Sequence, residues 1–252
     1  MRPSDGAGLD SSWRSVDWHV SMGAKAMGHW DMSKLDDKQR RHILKTWALE
    51  ECYQSKSAPV ILDDTRAIHQ WAVDYIGALS PLAYLEFGVA HGDSLRFFSS
   101  SFKHPEASFI GFDSFEGLPE AWLHMPKFFF GRNGIAPAFD DARIRLNKGW
   151  FQNIIPPFMA KWHKPEGKVL IHYDADLYGS TLFALSMVWT KIPDYYFIMD
   201  DFYYDDAVAL FDFASAYPVD IQFLAQGGRD GNGNAVPLKI FGRMQNRRFD
   251  PS

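Results

Sequence analysis

The chain is short of several things, and each shortage removes a class of protein. It has one cysteine, Cys52, in 252 residues, so no intramolecular disulfide can form and a reducing compartment fits. That cysteine follows Glu50 and Glu51, whose charges disfavour a thiolate and make it a poor nucleophile. There is no basic excess: 26 Lys and Arg stand against 31 Asp and Glu, a net charge of −5, the wrong sign for a broad nucleic-acid-binding face. No apolar run approaches the length of a membrane span, and the opening MRPSDGAGLDSSW lacks the apolar stretch of a signal peptide. Internal repeats and low-complexity tracts are also missing. The expectation is a cytoplasmic protein with neither nucleic acid nor membrane as partner.

What is present is enough apolar sequence for a sizeable core, 46% of the chain. The aromatic share is high at 16%; most of it belongs in that core, with some left to line a groove. Residues 1 to about 35 show no period and read as an arm. From Lys34 to Gln54 the spacing of Ile43, Leu44, Trp47, Ala48 and Cys52 is helical. A second helix starts after Asp63 and Asp64 and runs through Ile68, Trp71, Ala72 and Tyr75. Residues 1–80 are therefore expected to form an arm and a helical cap, and residues 81–252 the main domain.

Beyond residue 80 the texture changes. Strand-length apolar runs occupy 83–89, 108–113, 143–149, 168–174 and 195–201, with helical patterns between several of them. One of these, NIIPPFMAKW, is expected to be broken by its two prolines. Such alternation predicts an α/β fold with a mostly parallel sheet. The last two runs, 220–225 and 238–244, flank a Gly- and Asn-rich connection and predict an antiparallel C-terminal hairpin, seven strands in all. Ligands of such sheets bind beyond the carboxyl ends of the strands. Here those ends carry Glu86, Asp113, Asp174 with Asp176, and Asp200 with Asp201; acidic groups gather along one edge.

The first of these ends, EFGVAHGDSL, is a strand leading into a helix through Gly88 and Gly92, whose helix-start amides at Ser94 and Leu95 face the same space. Glu86 would repel a pyrophosphate but suits a cationic amino-acid moiety, and Asp113 is placed to accept both hydroxyls of a ribose. A turn glycine beside a solvated glutamate is the plainer alternative. Glu86-x-Gly88-x-x-x-Gly92 followed by Asp113 resembles the S-adenosylmethionine signature of Rossmann-like methyltransferases. GFDSFEGLPEAW (111–122), KGWFQNIIP (148–156), DADLYGST (174–181) and DDF (200–202) are similar, in order and spacing, to the macrocin O-methyltransferase (TylF-like) family, over about Tyr84 to Met244. The resemblance implies a Rossmann-like methyltransferase fold acting on hydroxyls of a sugar or sugar-bearing natural product. It implies Glu86 at the methionine amino group, Asp113 at the ribose, Ser114 near the adenine, and Trp150 and Phe151 bordering the adenine.

Asp174 and Asp176 are two residues apart and in extended chain point the same way; Asp200 and Asp201 close the neighbouring strand. Each like pair near 4 Å costs about 4 kcal/mol at an effective dielectric near 20, so either the carboxyls take up protons or a cation sits among them. Hard oxygen donors with positions left for water and substrate suit Mg2+. By the resemblance, the metal ligands are Asp174, Asp200 and Asp201, with Asp176 turned toward the cofactor. Asp174 is also a candidate base, as is His91 in the glycine turn; His124 is a weaker one, and the other seven histidines, His69 and His172 among them, read as surface or packing residues. The Phe-rich segment Trp122–Gly134 reads as a lid over the acceptor. A competing reading takes Asp174-Ala175-Asp176 as the metal-binding motif of a sugar-nucleotide glycosyltransferase, which leaves Gly88 and Asp113 without a purpose. A non-catalytic cofactor-binding relative is the third. The aromatic-rich N-terminal helices could pack on a second subunit, so a homodimer is expected.

Overall fold

A computed structural model describes residues 59–163 and 166–247; the arm, the first helix, Cys52 and the last five residues lie outside them. The elements, in chain order, are β1 (Val60–Leu62), α1 (Ala67–Ile76), β2 (Leu82–Phe87), α2 (Asp93–Ser101), β3 (Ser108–Asp113), β4 (Ile144–Lys148), α3 (Phe151–Lys161), β5 (Lys168–Tyr173), α4 (Tyr178–Trp189) and β6 (Asp194–Met199). A π-type turn (Phe202–Asp206), α5 (Ala207–Ala216), β7 (Val219–Arg229) and β8 (Ala235–Asn246) follow. The strands form one sheet in the order β1-β7-β8-β6-β5-β2-β3-β4. All neighbours are parallel except β6–β8 and β7–β8. The seven expected strands are all present, and β1 adds an eighth by pairing with β7.

Alternation along the central strands explains the layers. Ala83, Leu85 and Phe87 of β2 join Val169, Ile171 and Tyr173 of β5 in one core, with Ile155, Met159, Ala184, Leu185 and Leu210 from α3, α4 and α5. Leu82 and Tyr84 face the other way and meet Ile68, Ala72 and Val73 of α1 and Leu95 and Phe98 of α2. With both faces covered, β2 is buried along its whole length, which is why parallel strands of this kind are continuous apolar runs. The polar exceptions, Glu86 on β2 and His172 on β5, are therefore costly unless paired.

One element departs from expectation. Pro156 and Pro157 do not break the NIIPPFM segment; they lie inside the unbroken helix α3. Two helical amide bonds are forgone there, and burial of Ile155 and Met159 against the sheet offsets the loss.

Register sets up the site. Phe87 pairs with Tyr173, and Tyr173 with Met199, so Gly88, Asp174 and Asp200 leave the sheet side by side at its carboxyl edge. The ladder continues one step further: the Asp174 amide donates to the Phe87 carbonyl at 2.9 Å and the Asp200 amide to the Tyr173 carbonyl at 3.0 Å. Chain order reverses between β2 and β5, so the crevice for a ligand opens there.

Candidate functional site

A cavity of about 240 Å³ lies over this crevice, walled by Gly88, Val89, Ala90, Asp113, Ser114, Trp150, Phe151, Asp174 and Asp176, with Leu118 and Phe130 above. Gly88 has φ +95, and a Cβ there would lie 1.7 Å from the Asp174 carbonyl oxygen. Only glycine lets the two strand ends approach this closely. Asp113 fixes the turn from the next strand: its Oδ2 accepts from the Val89 and Ala90 amides, both at 2.8 Å, and its Oδ1 from Phe115 N at 2.6 Å. Each carboxylate oxygen has two lone pairs, so Asp113 can hold the loop and still accept from a ligand in the cavity.

Of the other sequence candidates, Ser114, Trp150, Phe151 and Asp176 line the cavity as expected of cofactor contacts, and Glu86, Gly92, Ser94 and His91 do not. Glu86 is 1% exposed and bonded to the Tyr84 hydroxyl; burial pushes its carboxyl well above the ordinary range, with the Asp200 charge adding to the rise. Gly92, at φ +79, packs against Phe139. His91 is exposed, and its carbonyl accepts from Arg96 at 2.6 Å. It is not among the residues that wall the cavity.

The aspartates divide into two sets. One oxygen from each of Asp174, Asp176 and Asp201 lies within 4.8 Å of the others. Asp176 arrives there through a left-handed backbone, φ +59, a conformation aspartate tolerates better than most residues. So the convergence with Asp174 comes from a sharp turn rather than from extended chain. Asp200, expected in the same set, belongs to a different one with His69 and His172. Its Oδ1 accepts from His172 Nε2 at 2.8 Å and forms an ion pair with Lys239. Burial would raise the Asp200 carboxyl, but hydrogen bonds from His172 and His69, and the Lys239 charge behind them, hold it well below the carboxylate range. The first set behaves in the opposite way. Burial, then the Asp200 and Asp176 charges, push Asp174 well up; burial and Asp201 bring Asp176 to about 8; burial and Asp200 bring Asp201 to about 6. Among the described residues, no basic side chain is ion-paired with these three. A concentration of carboxyls with no ion-paired basic group among the described residues, made of hard oxygen donors, fits a divalent cation.

Asp206 supports this set from behind. It is fully buried, accepts from Thr181 Oγ1 at 2.7 Å, and receives the Asp201 amide at 3.4 Å. Burial, with the Asp201 charge adding, raises its carboxyl to about 8. The folded value lies above the unfolded one, near 4, so its favourable contribution is complete below about pH 4 and is lost as pH rises to 8. In chelator, stability should therefore fall from pH 6 to pH 8, with Asp206 contributing about 2 kcal/mol beside the falls from Asp174 and Asp176, and Asp206→Asn should make the fall shallower without removing it. Thermal melts of both proteins at the two pH values are the check.

Sequence reading missed Tyr84, His172, Lys239, Asp206, Gln152 and Ser180. The first four form the buried polar scaffold, and the last two line the cavity. His172 had a visible signal: two residues before Asp174, it shares that residue's face of the strand. Lys239 had none, because nothing in LKIFGRM sets that lysine apart from a solvated one.

Comparison with known proteins agrees with the resemblance. The family model described as macrocin-O-methyltransferase (TylF) matches residues 135–219, about a third of the chain and the part that contains Trp150, Asp174, Asp176, Asp200 and Asp201. No protein of curated function matches the sequence. Solved structures similar to the chain include the calicheamicin methyltransferase CalS11, 16% identical over 88% of this chain and 86% of that one, TM-score 0.47. The O-methyltransferase NovP is 19% identical over 72% and 78%, TM-score 0.45. An O-methyltransferase from Bacillus cereus in complex with SAH is 14% identical over 88% and 97%, TM-score 0.47. No helix among the described residues is long and apolar enough to cross a membrane.

Proposed function

We propose that the chain transfers the methyl group of S-adenosylmethionine to a hydroxyl of a sugar or sugar-bearing natural product, with Mg2+ held by Asp174, Asp176 and Asp201. The observation that carries the reading is the adjacency of two features: the Gly88 cradle, which a single Cβ would fill, and the carboxyl set that begins at the very residue Gly88 abuts. A cofactor in the cavity would be held by Asp113, Trp150 and the Asp174 edge of the wall.

S-adenosylmethionine supplies an electrophilic methyl group, and a bound divalent cation lowers the pKa of a ligating hydroxyl while fixing its direction. The chain's own residues do the rest. Gly88 and Asp113 hold the loop that would orient the donor, and orientation is a large part of catalysis in an in-line displacement. Asp174 and Asp176 stand at the junction of cavity and carboxyl set, placed to accept the proton that the hydroxyl gives up. Leu118 and Phe130 line the same cavity and would help to exclude water once it is filled.

The first test is calorimetry with S-adenosylhomocysteine. Micromolar binding is expected, and absence of binding removes the methyltransferase reading together with the role of the cavity. The segment above the cavity gives a second. Phe128, Phe129 and Phe130 are 43–54% exposed, on a loop braced by backbone bonds from Leu118 N to Phe129 O and from Arg132 N to Phe115 O. Phe130→Ala should raise the acceptor KM by about five- to tenfold, the worth of a partly buried aromatic ring, with kcat changed less. Steady-state kinetics on the acceptor separate the two constants.

A further inference from the structure

Beside the proposed metal site is a second nest of metal-type donors. His69 on α1, His172 on β5 and Asp200 after β6 each place one ligating atom within 4.8 Å of the other two. Two imidazoles and a carboxylate are a donor set for borderline transition metals. Yet this nest is already supplied with charge. Lys239, reaching in from β8, is 8% exposed; its ammonium is ion-paired with Asp200 Oδ1 and lies 3.2 Å from His69 Nε2. A buried ammonium is costly without partners, and here its partners are two of the three donors a metal would use. Nothing in the expected reaction calls for a lysine at this depth.

We propose that Lys239 is a built-in cation that fills the His69–His172–Asp200 nest and keeps Asp200 out of the neighbouring carboxyl set, so that the enzyme carries one divalent ion, bound by Asp174, Asp176 and Asp201, and not two. The ammonium holds Asp200 Oδ1 together with His172, whose other nitrogen, Nδ1, is 2.9 Å from the Tyr84 hydroxyl. That hydroxyl in turn is bonded to Glu86. Lys239 is thus a positioning residue: it acts through Asp200 on the geometry of the strand ends. A lysine also excludes transition metals from a pocket otherwise suited to them, leaving a site of oxygen donors alone, which suits Mg2+. The one-ion part of this inference rests on the metal reading above; the role of Lys239 in its own nest does not.

The experiment is metal binding, read without turnover. Wild type, Lys239→Met and Lys239→Arg are titrated with Co2+, and visible absorption reports histidine ligation. Wild type and Lys239→Arg should show no histidine-ligated band. Lys239→Met should take up an additional equivalent of Co2+ about a hundredfold more tightly than wild type binds any at this nest, and adding His69→Gln should abolish that gain. Mn2+ titrations of wild type and of Lys239→Met/Asp200→Asn, which removes the cation and its partner together, should give one ion with affinities within threefold of each other. A folded Lys239→Met that gains no Co2+ band overturns the proposal for Lys239. A more than tenfold loss of Mn2+ affinity in the double variant overturns the exclusion of Asp200. Absence of any Mn2+ binding by wild type overturns the metal reading, and with it the one-ion claim, while the Co2+ comparison still decides what Lys239 does.

Discussion

Asp174→Asn should lower kcat by about 10²- to 10³-fold while S-adenosylhomocysteine binds within a few-fold of wild type. The magnitude is that of removing one electrostatic contributor from a site where charge develops during reaction. The split between the two readouts follows from position. Asp174 forms part of the cavity wall, but the close contact there is its backbone carbonyl against Gly88, which asparagine preserves. What asparagine removes is the carboxyl charge shared with Asp176 and Asp201. The asparagine oxygen would remain as a donor beside Asp176 and Asp201, so residual activity should recover in part at high Mg2+ concentration. Initial rates across a Mg2+ series, together with calorimetry of the cofactor product, test both halves. Full activity in the variant would sink the carboxyl mechanism and leave a cofactor-binding fold without the assigned chemistry.

Much of this arrangement was legible in the sequence, for identifiable reasons. Parallel strands buried on both faces must be continuous apolar runs, so β2, β3 and β5 could be read almost to the residue. The acidic ends could be read because carboxylates at buried strand ends have few structural uses. Val60–Leu62 escaped because a three-residue run carries no period, and its strand identity comes entirely from pairing with β7. The continuity of α3 through Pro156 and Pro157 escaped because local propensity counts the lost amide bonds and not the core burial that offsets them. The partition of the aspartates was hidden for a third reason. Sequence spacing treats Asp200 and Asp201 as a pair, whereas both lie in the turn past the end of β6, where strand alternation no longer decides where each side chain goes. Asp200 falls toward the α1 side, where His69 and Lys239 wait, and Asp201 falls toward Asp176. Only the fold could show that a lysine from β8, the last described strand, had claimed one of the two.

The same geometry makes Gly88 the position least able to change. Gly88→Ala should abolish measurable cofactor binding, a loss of at least about a hundredfold, and lower the melting temperature by several degrees. Two costs act together. A residue with a Cβ at φ +95 is strained by about 1–2 kcal/mol, and the new methyl would lie 1.7 Å from the Asp174 carbonyl oxygen. That contact is with backbone, so no side-chain rotation relieves it; β2 and β5 must part at the edge where both cavity and carboxyl set begin. The Asp174 amide bond to Phe87 and the Gly88 amide bond to Phe112 would then be stretched in the same movement, which is why stability and binding should fall together. Gly179 is the matched control. It lies in α4, and a Cβ placed on it would meet nothing within 4 Å, so Gly179→Ala should stabilise by about 0.5–1 kcal/mol through helix propensity and leave binding unchanged. If Gly88→Ala binds S-adenosylhomocysteine as wild type does, the cavity over β2 and β5 is not the cofactor site, and the methyl donor must be sought elsewhere on the molecule.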